Sequence, residues 1–449
     1  MRHHAGVRAG ELSAERLGGP LGRHAGRFVG WWRLDRVLVA VVAISFLAAV
    51  ATRQPCFADQ YSRDGPLYSR LCYSDVPILF RERGLATGQV PYLQGRLEYP
   101  VGTGLVMEAT AVLTRLLFGS GDSAAVASVR YYGVNIVLFF ALAVVTVLAV
   151  ARLAGPGRGR DALMVAAAPS LALAGTINWD LVPVALAVLA LLAWSRSRPA
   201  LAGVLLGLGG ATKLWPLFLL GPLFLLCLRS RRMGTWWRAA GSAALAWLVV
   251  NVPFIVLARD QWEVFWQYNR TRGADPDAPN YGSVWNALAR AGHQVSNPDQ
   301  LATGLFAVLC LAIGVLALTS PVRPRVGQLA FLTVAAFTLT GTVYSPQYVL
   351  WLLPLAVLAR PVWRDILIWQ GAETLYWFTV WWYIAGALAP GGADPVPVVY
   401  LAAVGLRVAA QLYLVALVVR DILRPAHDPV RSAAGAAAAA PTGRLTAAT

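Results

Sequence analysis

The stretch Val101-Gly-Thr-Gly-Leu-Val-Met-Glu-Ala-Thr-Ala-Val-Leu-Thr-Arg-Leu-Leu-Phe118 decides how this chain is threaded. It is apolar and nearly long enough to cross a bilayer, yet it carries Glu108 and Arg115, both costly at bilayer depth. If it spans, every later loop changes sides. If it lies at the surface, none does.

The rest of the chain supplies the deciding evidence. Of its 449 residues 57% are hydrophobic and 13% charged, with mean hydropathy +0.57. That composition describes an all-α polytopic membrane protein with no room for a large soluble domain. Apolar segments lie near 35–52, 131–153, 161–176, 179–196, 199–212, 214–228, 236–258, 300–319, 326–343, 347–360, 364–388 and 395–419. Arginine concentrates in the tail 1–34, in Gly155-Pro-Gly-Arg-Gly-Arg-Asp161, Ser195-Arg-Ser-Arg198, Arg229-Ser-Arg-Arg232 and Pro321-Val-Arg-Pro-Arg325, and in the runs Arg360 to Asp365 and Arg420 to Arg431. Placing all of these in the cytoplasm makes the segments, about twelve of them, alternate correctly with both termini inside. Counting 101–118 as a span would invert every later loop. It is therefore expected to be a juxtamembrane or re-entrant helix of a first external loop, 53–129.

The same layout gives a second external loop at 259–299, a membrane domain over 35–420, and tails at 1–34 and 421–449, the latter disordered by composition. A net charge of +16 would suggest nucleic acid in a soluble chain. Here the arginines sit in tails and short loops, so they read as topology signal and contact with anionic membrane lipids, and no nucleic-acid partner is expected. The polar leader is too long for the n-region of a signal peptide, so the run 35–52 is expected to remain as an anchor. Cys56 and Cys72 share the first loop, as a disulfide if it faces an oxidising side and as free thiols otherwise. No Cys/His cluster has metal-ligand spacing, and no metal is expected.

Nearly all unusual polar residues fall on the outer face, which makes that face the expected site. In Leu71-Cys-Tyr-Ser-Asp-Val-Pro-Ile-Leu-Phe-Arg-Glu-Arg-Gly84, Asp75 has two readings. Ser74 or Asp75 can cap a short helix beginning at Val76-Pro77, or Asp75 can serve as a general base. Capping lowers a carboxylate's pKa, whereas burial against Tyr73, Phe80 and Tyr92 raises it. Arg81 and Arg83 either meet lipid headgroups from an interfacial helix or hold a phosphate in their donor forks. Lys213 is the only lysine, at a helix end on the site face; it snorkels to headgroups or contacts a phosphate. Asp180 and Glu373 are acids within or beside spans, suited to sugar hydroxyls or to pairing with a cation inside the bundle.

The order of motifs carries a resemblance. An acidic residue soon after the first span, an Arg-bearing helix, Gly88-Gln-Val-Pro-Tyr92 and Leu97-Glu-Tyr-Pro-Val-Gly-Thr-Gly104 together resemble the first loop of glycosyltransferase family 87. Leu201-Ala-Gly-Val-Leu-Leu-Gly-Leu-Gly-Gly-Ala-Thr-Lys-Leu-Trp-Pro216 is similar to that family's Gly-rich span ending in Lys-x-x-Pro, and Tyr344-Ser-Pro-Gln-Tyr348 to its Ser-Pro-x-Tyr turn. The resemblance runs in pieces from about Asp75 to Pro354.

It implies a GT-C fold with about 12 transmembrane helices and juxtamembrane helices in the first external loop. It also implies a plasma-membrane enzyme with its active site on the outer face, inverting the sugar it takes from a polyprenyl-phosphate donor, with no cofactor. The acceptor would be a cell-envelope glycolipid or glycan. By the same resemblance Asp75 is the base, and Arg81, Arg83 and Lys213 meet the donor phosphate. Tyr92, Glu98, Tyr99, Asn178, Asp180, Arg270, Arg272, Asn280, Tyr344, Gln347 and Tyr348 would contact substrates. The usual Tyr-Pro-Pro is Tyr99-Pro100-Val101 here, and Asn178-Trp-Asp180 replaces a Gln-containing turn, so sugar and acceptor stay open. Mannose is the first expectation, arabinose or another pentose the next. A transporter or flippase of a lipid-linked glycan is the alternative, and it would need midplane polar residues open to both sides. A non-catalytic envelope-assembly scaffold is the third reading.

Overall fold

The computed structural model describes residues 33–62, 65–272, 280–388 and 397–432, apart from the side chains of residues 271 and 272, and among these the chain is helical with no extended strand. The helices are α1 (Leu34–Ala58), α2 (Asp75–Glu82), α3 (Val101–Phe118), α4 (Ala124–Leu153), α5 (Leu163–Ala166), α6 (Pro169–Ala174), α7 (Leu181–Ser195), α8 (Pro199–Thr212) and α9 (Leu220–Arg229). They continue with α10 (Met233–Leu257), α11 (Arg259–Arg272), α12 (Val284–Arg290), α13 (Pro298–Thr319), α14 (Val326–Thr340), α15 (Val349–Ala359), α16 (Trp363–Ile384) and α17 (Val398–Leu423).

The arginine-bearing loops meet at one end of the bundle. Arg229 donates to the Ala317 and Ser320 carbonyls, both at 2.7 Å. Arg325 donates to the Leu358 and Ala359 carbonyls, at 2.7 and 2.6 Å, and to Asp428 at 2.9 Å. Arg360 binds Asp365 at 2.7 Å and Asp421 at 2.5 Å. The carboxylates of Asp365, Asp421 and Asp428 are fully buried, and charges out of water need such partners. The opposite end collects Asn178, Lys213, Gly282 and Tyr344.

Among the described residues α3 is one of six helices long and apolar enough to cross a membrane, and its mean hydropathy of 1.4 is the lowest of them. Its partners all lie at the end away from the arginines. Thr103 donates to the Thr212 carbonyl at 2.6 Å, the Tyr131 hydroxyl donates to the Met107 carbonyl at 3.2 Å, and Arg115 reaches the Leu85 carbonyl at 3.3 Å. Glu108 and Arg115, the pair that made a span expensive, neutralise each other at 2.8 Å.

Lipid offers no hydrophobic drive for helices to associate, so close packing must supply it. Gly203 and Gly207 do this on α8: a side chain at either position would overlap the α10 backbone at Ala239 or Ala243. α14 and α15 are buried almost throughout, whereas α1, α10 and α13 turn Leu47, Val256 and Leu311 outward at 70%, 74% and 70% exposure. The segment near 161–176, expected as one span, is broken into α5 and α6. Pro169 at the start of α6 has no N–H to continue the ladder.

Candidate active site

Asp75 opens α2 but does not cap it. Ser74 is the N-cap: its hydroxyl accepts from the Val76 N–H at 3.3 Å and donates to the Thr176 carbonyl at 2.9 Å. The capping reading therefore belongs to Ser74, which leaves the Asp75 side chain free for other work. Its backbone N–H donates to the Ile177 carbonyl at 2.9 Å, fixing α2 against the turn before α7. A disulfide between Cys56 and Cys72 ties the end of α1 to the segment leading into Asp75, across a sequence separation of 16. Closing a loop of that size contributes about 3 kcal/mol in the chain-entropy picture.

Both carboxylate oxygens of Asp75 are held. The Tyr73 hydroxyl donates to Oδ1 at 2.6 Å, and the Asn178 amide donates to Oδ2 at 2.6 Å and to the Tyr99 hydroxyl at 2.7 Å. Asn178 is itself oriented, because its Oδ1 accepts the Trp179 N–H at 2.6 Å. Trp179 in turn donates through Nε1 to Asn135 at 2.8 Å. Burial raises the Asp75 carboxyl above its ordinary value, against the opposing pull of the Tyr73 and Asn178 hydrogen bonds and of the Lys213 charge. Burial, then the adjacent Asp75, pushes the Tyr73 hydroxyl well above its usual value, so Tyr73 stays a donor. The result is a carboxylate with lone pairs to spare and a raised proton affinity, which suits a general base.

Asp75 lines a cavity of about 820 Å³ between the bundle end and α11. Lys213, Glu98, Tyr99, Gln347 and Tyr348 line it too, as does Glu82 on α2. Lys213 follows the last residue of α8, its Nζ 3.8 Å from Asp180 Oδ1 and 4.9 Å from the centre of the Tyr99 ring. Asp180 also accepts from Trp351 Nε1 at 2.7 Å, so it is a buried partner for the lysine rather than part of the wall. The Gly-rich run before Lys213 has a local cause: Gly209 and Gly210 pack directly against Pro216 and Leu217, where the chain folds back after α8. Gly102 plays the matching part on α3, since a Cβ there would lie 2.7 Å from the Ala211 carbonyl oxygen.

Several sequence-predicted residues sit elsewhere. Arg83 makes a two-pronged pair with Glu98, at 2.8 and 2.6 Å, so its fork orients a cavity carboxylate. Arg81 donates to the backbone carbonyls of Gln60 and Tyr61. Tyr92 is buried beneath Gly104 and donates to the Tyr99 and Pro100 carbonyls at 3.0 and 2.8 Å. Tyr344 is buried, donating to Glu373 at 2.9 Å with the Arg407 guanidinium 3.6 Å from its ring centre. Asn280 is buried and accepts from the Asn286 amide at 2.8 Å. Arg270 is exposed on α11 and does not line the cavity. The Arg272 side chain lies outside the described residues.

The walls hold residues that sequence reasoning passed over. Tyr68, Tyr73 and Trp381 form a stacked group with ring centres 5.0 to 5.8 Å apart beside Asp75. Across from them Trp215, Trp351 and Tyr348 form a second stack, Tyr348 to Trp351 at 3.8 Å. Phe265, Trp266 and Asn269 of α11 close the cavity from above. The aromatic residues of α11 belong to a predicted external loop with no motif to single them out, and Trp381 lies far along the chain inside an apolar run, where nothing local marks it.

The sequence profile of glycosyltransferase family 87 matches residues 99–343. No curated protein matches the chain. Among solved structures, one described as ArnT from Cupriavidus metallidurans bound to undecaprenyl phosphate is similar with a TM-score of 0.45 at 17% identity, over 87% of this chain and 78% of that one.

Proposed function

This chain belongs to glycosyltransferase family 87, and from that premise we propose that it moves a sugar from a polyprenyl-phosphate donor to a hydroxyl of a cell-envelope glycolipid or glycan. The observation that carries this reading is Asp75, a carboxylate fixed at both oxygens with raised proton affinity, in a cavity it shares with the chain's only lysine.

In this scheme the acceptor hydroxyl lies against Asp75 and its oxygen attacks C1 of the sugar. The O–H proton passes to the Asp75 carboxylate as the new C–O bond forms. The bond from C1 to the phosphate oxygen breaks on the opposite face, and polyprenyl phosphate leaves with the electron pair. Inversion at C1 follows from attack and departure on opposite faces. General-base assistance of this kind is worth about 10²–10⁴-fold in rate. Lys213 meets the charge that develops on the leaving phosphate, and Asp180 and the Tyr99 ring hold it in place. Arg83 contributes through Glu98, and Arg81 through the fold of the first loop, rather than by touching the donor. Tyr99, Gln347 and Tyr348 bind substrate, and the two aromatic stacks offer flat apolar faces for sugar rings and for the first isoprene units.

Mannose is the sugar we assign first, with a pentose next. The arginine-bearing end faces the cytoplasm by the positive-inside rule, which puts the cavity on the outer face of the plasma membrane. Purified protein in vesicles, given radiolabelled polyprenyl-phosphate mannose and a crude envelope glycolipid fraction, should release polyprenyl phosphate in step with label entering the acceptor at an inverted anomeric centre. Movement of labelled lipid between leaflets without transfer would instead support the flippase.

A further inference from the structure

The end of the bundle opposite Asp75 contains a second large cavity, of about 850 Å³. It is bounded by the end of α7, the end of α9, the start of α10 and the loop between α13 and α14. Five arginines line it, Arg232, Arg238, Arg323, Arg325 and Arg431, and no carboxylate is among the lining residues. Two of the five are already matched: Asp428 lies 2.9 Å from Arg325 and 3.4 Å from Arg431. The side chains of Arg232, Arg238 and Arg323 have no hydrogen-bond acceptor or counter-charge among the described residues. Arg232 and Arg323 come from separate loops yet line the same cavity.

Unmatched guanidinium groups around one hollow repel each other unless an anion joins them. The remaining walls select which anion fits. Trp194, Leu226 and Val326 make the floor apolar. Val322, which lines it from the α13–α14 loop, is 41% exposed, and Leu228 on α9 and Trp237 on α10, each next in sequence to a lining residue, are exposed at 41% and 65%. A phosphate with apolar chains attached satisfies both parts: its oxygens take the donor forks and its chains run along the exposed apolar rim.

We propose that this cavity binds the phosphate of an anionic membrane phospholipid, one molecule per chain, at the end of the bundle away from the catalytic cavity. The site uses none of the residues assigned to sugar transfer, so it stands or falls separately from that assignment. Bound there, the lipid bridges α7, α9, α10 and the α13–α14 loop.

The test is a titration of the delipidated full-length chain with phosphatidylglycerol, counting bound lipid by native mass spectrometry, beside phosphatidylcholine and inorganic phosphate. One phosphatidylglycerol should bind well ahead of phosphatidylcholine. Combining Arg232→Gln with Arg323→Gln should weaken it by on the order of fivefold for each arginine removed. Arg33→Gln, an exposed arginine at the same end but outside the cavity, should leave binding unchanged. Melting temperatures of the lipid-free proteins check that the variants fold; should the double variant not fold, Arg238→Gln alone is predicted to lose the fivefold. Equal binding of the two lipids, or unchanged binding in the folded variants, would overturn the proposal. Saturation by inorganic phosphate with no preference for lipid would assign the site to a free anion and overturn the lipid.

Discussion

At the residue scale, the question raised by Asp75 was whether it caps a helix or does chemistry, and the two were separable only in three dimensions. Ser74 takes the cap, and the Asp75 oxygens turn to Tyr73 and Asn178 instead. Both partners favour the ionised form while burial disfavours it, and burial dominates. Transfer should therefore rise with pH through the Asp75 pKa and then level. Removing a donor to the carboxylate raises that pKa further, so Tyr73→Phe should move the acidic limb of the rate profile to higher pH. A profile with an unshifted midpoint would show that the Tyr73 hydrogen bond does not tune the base. Asp75 and Lys213 stood out in the sequence because each is chemically isolated in an apolar or arginine-using chain. Arg83 stood out equally and for a different reason, because sequence cannot show that Glu98 had already claimed its fork.

At the element scale, the ends of three short helices build the cavity. α7 starts just after Asp180, α8 stops just before Lys213, and α15 starts just after Tyr348. At 1.5 Å per residue these helices fall short of a bilayer's hydrocarbon thickness. The glycines at the junctions are required by contact, not by flexibility. Gly102→Ala would place a Cβ 2.7 Å from the Ala211 carbonyl oxygen, backbone against backbone. The expected cost is about 1–3 kcal/mol, read as a lower melting temperature with transfer reduced alongside it; an unchanged melting temperature would show that α3 has room to move. Helix existence was legible from hydropathy, but the break between α5 and α6 was not, since Ala-Ala-Pro within an apolar run gives no polar signal.

At the scale of the whole molecule, the arginine pattern and the packing agree: the loops rich in arginine share one end and the unusual polar residues share the other. The chain, helical among the described residues, fits the GT-C architecture expected from its motifs, and α3 makes its hydrogen bonds at the cavity end. This layout predicts that a cysteine at Ser120 is labelled by an impermeant maleimide from outside intact cells, while one at Pro156 is labelled only after permeabilisation. The reverse pattern would turn the whole bundle over and place the cavity on the cytoplasmic side. What the long-range fold adds beyond sequence is the aromatic wall, since Tyr68 and Trp381 are more than three hundred residues apart in the chain and stack at 5.8 Å. The central claim, that Asp75 accepts the acceptor's proton during transfer from a lipid-linked sugar, is tested most directly by comparing wild type with Asp75→Asn in vesicles with saturating polyprenyl-phosphate sugar. The account predicts that the variant, with an unchanged melting temperature, transfers at least about 10²-fold more slowly. A folded Asp75→Asn protein turning over at the wild-type rate would contradict it.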